Sequence, residues 1–351
     1  MSLHNRRDVL GMGAGLLTAA LAGCTDTNAS GGSSGANGED EPTAQASFFV
    51  LSDFASSVAG DAAAVENLVP FGQHGHGWEP GPDLQRTVLQ SDAFVYMGEG
   101  FQPWADNVVT NLEDAESDVA VIEARHGVDL LGAPSDGDDH GDDHGDEAHQ
   151  NETHEEEHHN ESEDSGGREH EHSDADPHFW LDPTRAATAV ETIRDGFAEF
   201  DESNADVYAE NADAYVQTLE ELDATFEERL SGRQRDDVLV AGHNALQYLD
   251  DRYGFHVHAL TGLSPDDQPS AQDITRAQGL VEEHGITHVF APVFESDRAA
   301  RQLVEETDAE DTLPVTSIPG VTEEWNEKGW GYVEVMREVN LGSLETALGA
   351  E

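Results

Sequence analysis

Eight short stretches, most of them apolar, in two sets of four, limit what this chain of 351 residues can fold into. In the first set, residues 48–51, 65–69, 93–97 and 119–122 read as buried strands, with helical segments expected at 53–60, 83–90 and 103–112. In the second set, residues 238–241, 256–260, 288–291 and 313–316 read as strands, with helices expected at 243–252, 270–284, 296–307 and 330–348. Strands spaced by helical segments argue for parallel sheets covered on both faces. Two helical stretches, 184–200 and 205–230, separate the sets. In the second stretch Val207, Tyr208, Tyr215, Leu219, Leu222 and Phe226 recur mostly at three- and four-residue steps, a helical period. A helix of that length spans about 39 Å, enough to cross a whole domain. The expected fold class is therefore α/β: an N-terminal lobe over 46–200, a linking helix over 203–230 and a C-terminal lobe over 236–351. Ligands of open parallel sheets bind beyond the carboxyl ends of the strands, so the natural site is the cleft between the lobes.

Residues 136–176 break this pattern. They hold eighteen Asp and Glu, one Arg, and no apolar periodicity, which reads as a disordered insertion. The whole chain has a formal charge of −58; removing the −17 of the insertion leaves −41 spread over the rest. Such an excess of acid excludes nucleic acid as a partner, because a phosphate backbone needs a basic footprint. Lys328 is the only lysine, and the remaining cations are arginines. A diffuse acidic surface that keeps Arg and loses Lys fits a protein of a salt-loving organism, where concentrated salt screens the self-repulsion.

The chain opens with a targeting pattern. Arg6-Arg7 precedes an uncharged stretch over 9–23 that ends Leu21-Ala22-Gly23-Cys24. Fifteen residues of helix rise only about 22 Å, too short to span a bilayer comfortably. The twin arginines resemble a twin-arginine export signal, and Leu-Ala-Gly-Cys resembles a lipobox. Residues 1–23 are thus expected to be a signal peptide, with lipid attached at Cys24, the only cysteine. Residues 24–45, rich in Gly, Ser, Asn and Thr, read as a flexible tether.

Outside the insertion, three histidines stand just past expected strands or turns. His76 lies in Gly75-His76-Gly77-Trp78-Glu79-Pro80, His178 in Pro177-His178-Phe179-Trp180-Leu181-Asp182-Pro183, and His243 in Ala241-Gly242-His243-Asn244-Ala245. Three neutral imidazoles suit a borderline metal such as zinc, although each alone has a bland explanation as a surface or capping residue. His74 reads as a surface residue, with a ligand role as the alternative. His284, at an expected helix end, falls outside these motifs.

These stretches resemble the TroA-like zinc/manganese solute-binding lipoproteins of ABC importers, over about residues 46–348. Further motifs of the resemblance are Tyr248, Arg252-Tyr253-Gly254, Gly262-Leu263-Ser264-Pro265 and Asn340-Leu341. The resemblance implies two Rossmann-like lobes joined by one long helix, with the metal held between them by His76, His178 and His243. Histidine at the third position points to the zinc-uptake branch, since imidazole favours Zn²⁺ and carboxylate favours Mn²⁺. The acidic, His-rich insertion is similar to that branch too. The sequence departs from the family late in the chain, where members often carry an acid and this chain has Ser317-Ile318-Pro319-Gly320. Glu295 or water is the candidate fourth ligand; Glu323 and Glu324 are less favoured. Within the insertion, His140, His144, His149, His154, His158, His159, His170 and His172 lie among the carboxylates and form candidate weak zinc sites.

The function so implied is extracytoplasmic capture of Zn²⁺ and its delivery to a membrane permease, by a monomer anchored through Cys24 on the outer face of the membrane. Mn²⁺ as cargo is the nearest alternative, and a zinc buffer or adhesin without a transporter is another. The enzyme-class rival is a zinc hydrolase, since three histidines and a water also describe catalytic zinc. It lacks a clear general base: Glu79 and Asp182 both adjoin proline and are expected to orient loops.

Overall fold

β1 (Thr43–Ala46), β2 (Ala64–Asn67), β3 (Ala93–Tyr96) and β4 (Ala120–Glu123) form a sheet in the order β2-β1-β3-β4. β5 (Asp237–His243), β6 (His256–Thr261), β7 (His288–Pro292) and β8 (Asp311–Val315) form a second sheet in the order β6-β5-β7-β8. Every strand pairing in both sheets is parallel. The computed structural model describes residues 41–70, 78, 80–81, 83–133 and 175–350. The fold class is the one implied by the two sets of apolar runs: two parallel-sheet α/β lobes.

The first apolar run is not a strand. Residues 48–51 open α1 (Phe49–Ala59), which buries Val50, Leu51, Phe54, Ala55 and Val58 at helical spacing. The strand is the less apolar Thr-Ala-Gln-Ala of β1, whose first three residues fall in the stretch expected to be tether. A four-residue apolar run fits a buried strand and a buried helix equally, and pattern alone does not separate them. β1 has neighbours on both sides, and that position outweighs its weak intrinsic preference.

The first lobe also contains α2 (Leu84–Leu89) and α3 (Pro103–Asp114). α4 (Pro183–Phe200) starts sharply: Pro183 sits at its first turn, and the Asp182 carboxylate accepts from the Thr184 backbone N–H at 2.8 Å. α5 (Ala205–Leu230) runs past both lobes and buries Tyr208, Ala212, Leu219, Leu222, Phe226 and Leu230. On the first lobe, Asn211 donates to the Val58 carbonyl at 3.0 Å and the Tyr215 hydroxyl donates to Asp53 at 2.8 Å. On the second, Asp223 pairs with Arg252 in α6 (Gln247–Tyr253), and Arg229 pairs with Glu345. The largest apolar cluster among the described residues runs under both sheets, taking in Ala44 and Val95 from one and Val240 and Phe290 from the other, and each lobe adds a smaller cluster of its own.

The second lobe adds α7 (Ala271–His284), α8 (Arg298–Glu306) and α9 (Glu323–Glu327). α7 begins with a reciprocal Ser270–Asp273 capping box and ends at Gly285, whose φ of 62° suits glycine. The chain closes through α10 (Tyr332–Val335), a π-helical turn (Met336–Leu341) and α11 (Gly342–Leu348). Among the described residues, no helix is long and apolar enough to cross a membrane.

Candidate metal centre

In each sheet the strand order reverses beside the first strand of the lobe: at β1, between β2 and β3, and at β5, between β6 and β7. Such switch points open a crevice at the carboxyl ends of the strands. His243 is the last residue of β5, and Glu295 follows three residues after β7. The Glu295 carboxylate meets His243 Nδ1 at 2.5 Å and lies 3.4 Å from the His243 backbone nitrogen. This approach needs a glycine before the histidine. A Cβ on Gly242 would stand 2.4 Å from Glu295 Oε2 and 2.7 Å from Pro292 Cγ.

His178 comes from the other lobe, immediately before the 3₁₀ turn Phe179–Leu181 that leads into α4. Its Nδ1 lies 2.8 Å from Asp176 Oδ1, and its backbone N–H donates to the same oxygen at 2.9 Å. Asp176 is fully buried and fixed through its own backbone: its N–H donates to the Leu131 carbonyl, and its carbonyl accepts from the Tyr248 hydroxyl at 2.7 Å. Asp176 therefore belongs to the ordered site, although the sequence placed it in the insertion.

The structure brings His178 and His243 together, each 3% exposed, with ring centroids 5.4 Å apart. Each ring presents Nδ1 to a carboxylate. A carboxylate holds that nitrogen as the N–H donor, which puts the imidazole lone pair on Nε2. This is the form in which a histidine binds a metal.

The residues after His178 brace the arrangement across the two lobes. Trp180 Nε1 donates to the Ser317 carbonyl at 2.8 Å, and the Tyr332 hydroxyl donates to the Trp180 carbonyl at 2.5 Å. Arg185 bridges Asp182 at 2.7 Å and Asp251 at 3.0 Å. Asp182 thus caps α4 and anchors an arginine, as expected of an orienting residue. Ser317 opens the turn Ser317-Ile318-Pro319-Gly320. Its neighbour Ile318 is fully buried at φ 56°, a costly conformation for a β-branched residue. Thr316 holds it there: its hydroxyl accepts from the Ile318 N–H at 2.8 Å, and its backbone is clasped by the buried Asn340 side chain through two bonds of 2.9 Å.

His76 and His74 lie outside the described residues, as do Cys24 and the histidines of the insertion from His140 to His172. Trp78, two residues past His76, is described. It packs edge-on to Trp104 at 5.2 Å and lines a cavity of about 600 Å³ together with Gly242, Phe294 and Glu295. Trp78 thus faces the same cavity as Glu295, the carboxylate that meets His243. Glu323 and Glu324 form the first turn of α9. Sequence reasoning missed Asp176 as the partner of His178; the available signal was a carboxylate two residues before a motif histidine.

A profile of the family described as zinc-uptake complex component A, periplasmic, matches residues 45–347. The zinc-binding lipoprotein AdcA of Streptococcus pneumoniae (strain ATCC BAA-255 / R6) is 30% identical over 307 residues, which cover 87% of this chain and 55% of that protein. The chain therefore spans about half the length of this relative. The high-affinity zinc uptake system protein ZnuA of Bacillus subtilis (strain 168) is 28% identical over 333 residues, 95% of this chain and 94% of that one. The crystal structure of the Zn(II)-bound ZnuA-like domain of S. pneumoniae AdcA superposes with a TM-score of 0.68 at 26% identity, covering 88% of this chain and 99% of the domain.

Proposed function

The chain belongs to the zinc-uptake complex component A family, and from that premise we propose that it captures Zn²⁺ outside the cytoplasm and delivers it to an ABC-type importer in the membrane. The observation that carries this reading is the pair His178 and His243, one from each lobe, each with Nδ1 held by a carboxylate. His76 is the proposed third ligand. Three imidazoles favour Zn²⁺ over Mn²⁺. Glu295, engaged by His243 Nδ1, fits an orienting role; a water then completes the tetrahedron, and Glu295 becomes the fourth ligand only by leaving His243. The reading is that of a binding protein: a carboxylate committed to positioning a ligand is not placed to act as a general base. A lipid at Cys24 would hold the monomer beside the permease. Metal analysis of protein purified without chelator, followed by competitive Zn²⁺/Mn²⁺ titration, tests the assignment. One equivalent of zinc, bound in preference to manganese, is expected; a preference for manganese would overturn the choice of cargo.

Gly242→Ala probes the second lobe without touching a ligand. The added methyl group must push the Glu295 carboxylate off His243, and loss of an outer-shell partner typically costs 10–100-fold in metal affinity. Chelator competition should show a zinc affinity lowered by about that factor. An unchanged affinity would mean that Glu295 does not govern His243.

Deletion of residues 136–175 should keep the tight site, because Asp176 and His178 lie beyond the cut. Weak, additional zinc should disappear, since clustered imidazoles and carboxylates chelate zinc. These weak sites should also fade as the pH falls through about 6.5, because only neutral imidazole binds. Equal total zinc in full-length and deleted protein, by calorimetry, would show that the tract is only a linker.

A further inference from the structure

β5 carries a titratable residue at each end. His243 ends it at the cleft, and Asp237 begins it roughly 20 Å away at the far edge of the lobe, for a seven-residue strand. The parallel register pairs Asp237 with His256 and Leu239 with His258. Side chains alternate along a strand, so Asp237, Leu239, His258 and Leu260 share one face. α7 packs on that face through Ala277 and Val281, against Leu239 and Leu260. His284 lies three residues beyond Val281, one helical turn on, and therefore reaches the same edge as Asp237 and His258.

Asp237 Oδ1 lies 2.9 Å from His258 Nε2 and 3.1 Å from His284 Nδ1. The two rings are 4.9 Å apart. One donor atom from each of the three residues falls within 4.8 Å of the others. Their side chains are 17%, 25% and 29% exposed, which shields them in part and leaves them open to ions from solvent. Each is placed by a regular element: two by neighbouring strands, and one by a helix end fixed by Gly285. Such placement holds donors together before any ion arrives.

We propose that Asp237, His258 and His284 form a second divalent-cation site, distinct from the cleft and suited to borderline ions of the zinc class. Two imidazoles and one carboxylate are a common donor set for such ions, with water completing the shell. The hydrogen bonds that now join both rings to one carboxylate oxygen would be replaced by three bonds to a single cation, which would pin the end of α7 to the sheet. The site needs neither the ligands of the cleft nor the acidic insertion.

Imidazole ¹⁵N NMR of the full chain tests this, with zinc as the probe and His258→Ala and His284→Ala used to assign the two rings. Zinc added beyond the first equivalent should move both resonances into the metal-bound range and leave those of the exposed His126 in place. Asp237→Asn should raise the zinc concentration needed by at least about tenfold, since losing a direct ligand costs no less than losing an outer-shell partner. The proposal is overturned if neither resonance moves at zinc levels that already shift the imidazoles of the insertion. It is also overturned if both move at the same zinc level in Asp237→Asn. His178→Ala should leave this response unchanged, which keeps a failure of the cleft assignment separate from a failure here.

Discussion

His178→Ala is expected to lower zinc affinity by at least a factor of about a hundred, with the fold retained. Even a lost outer-shell partner costs 10–100-fold, and this change removes a ligand itself. Phe179, Trp180 and Leu181 carry the packing of this segment and are untouched, so circular dichroism should not change. Asp176→Asn is the informative companion. An asparagine can offer its amide N–H to Nδ1, which would favour the tautomer carrying its proton on Nε2, the nitrogen assigned to the metal. Its zinc affinity should fall about 10–100-fold although no ligand is lost. Competition with a chelator of known strength measures both. Stoichiometric tight zinc in His178→Ala would remove this residue from the metal shell.

The second large effect concerns salt. Outside the 136–176 tract the chain carries −41, and few cations are available to offset it. Ion pairs such as Arg86–Asp83 and Arg301–Asp297 lie at the surface, and exposed pairs contribute little. Repulsion between unpaired carboxylates reaches over a Debye length of about 10 Å at 0.1 M salt but only about 3 Å at 1 M. If screening relieves even about 4 kcal/mol, the thermal midpoint should rise by roughly 10 °C, at about 2–4 °C per kcal/mol. Thermal unfolding in KCl from 0.1 to 2 M is the measurement, with sucrose as the uncharged control. A flat response to KCl, or an equal one to sucrose, would sink the reading of a salt-adapted surface.

Two parallel-sheet lobes were legible because strands of a covered sheet leave short stretches rich in apolar residues, and seven of the eight stretches overlap strands; the signal is clean in the buried β3 and β5 and weaker in β2, where Glu66 and Asn67 interrupt it. The exception, residues 48–51, shows the limit of that signal. Four apolar residues mark burial but not conformation, and the neighbouring Thr-Ala-Gln-Ala becomes a strand only because two other strands flank it. The long helix over 205–230 was legible from periodicity, since its buried face repeats along a length that no strand reaches.

At the site, the sequence by itself determined which residues offer zinc chemistry. His178 and His243 stood out together, in motifs that resemble one metal-binding family, although each alone reads equally as a surface or capping residue. Only the tertiary structure decided what orients them. Asp176 ends a run of acids, and its place two residues before His178 is the one local mark it carries; what commits it to the site is complete burial under Tyr248 and Leu131, contacts distant in sequence. Glu295, 52 residues after His243, met the same imidazole because β5 and β7 are neighbours in the sheet. Asp237, His258 and His284 follow the same rule: no spacing in the chain links them, and strand register together with one turn of α7 brings them to a single point. Ligand type is written in the residue, whereas the carboxylate that fixes a tautomer is chosen by long-range packing, which local pattern does not encode.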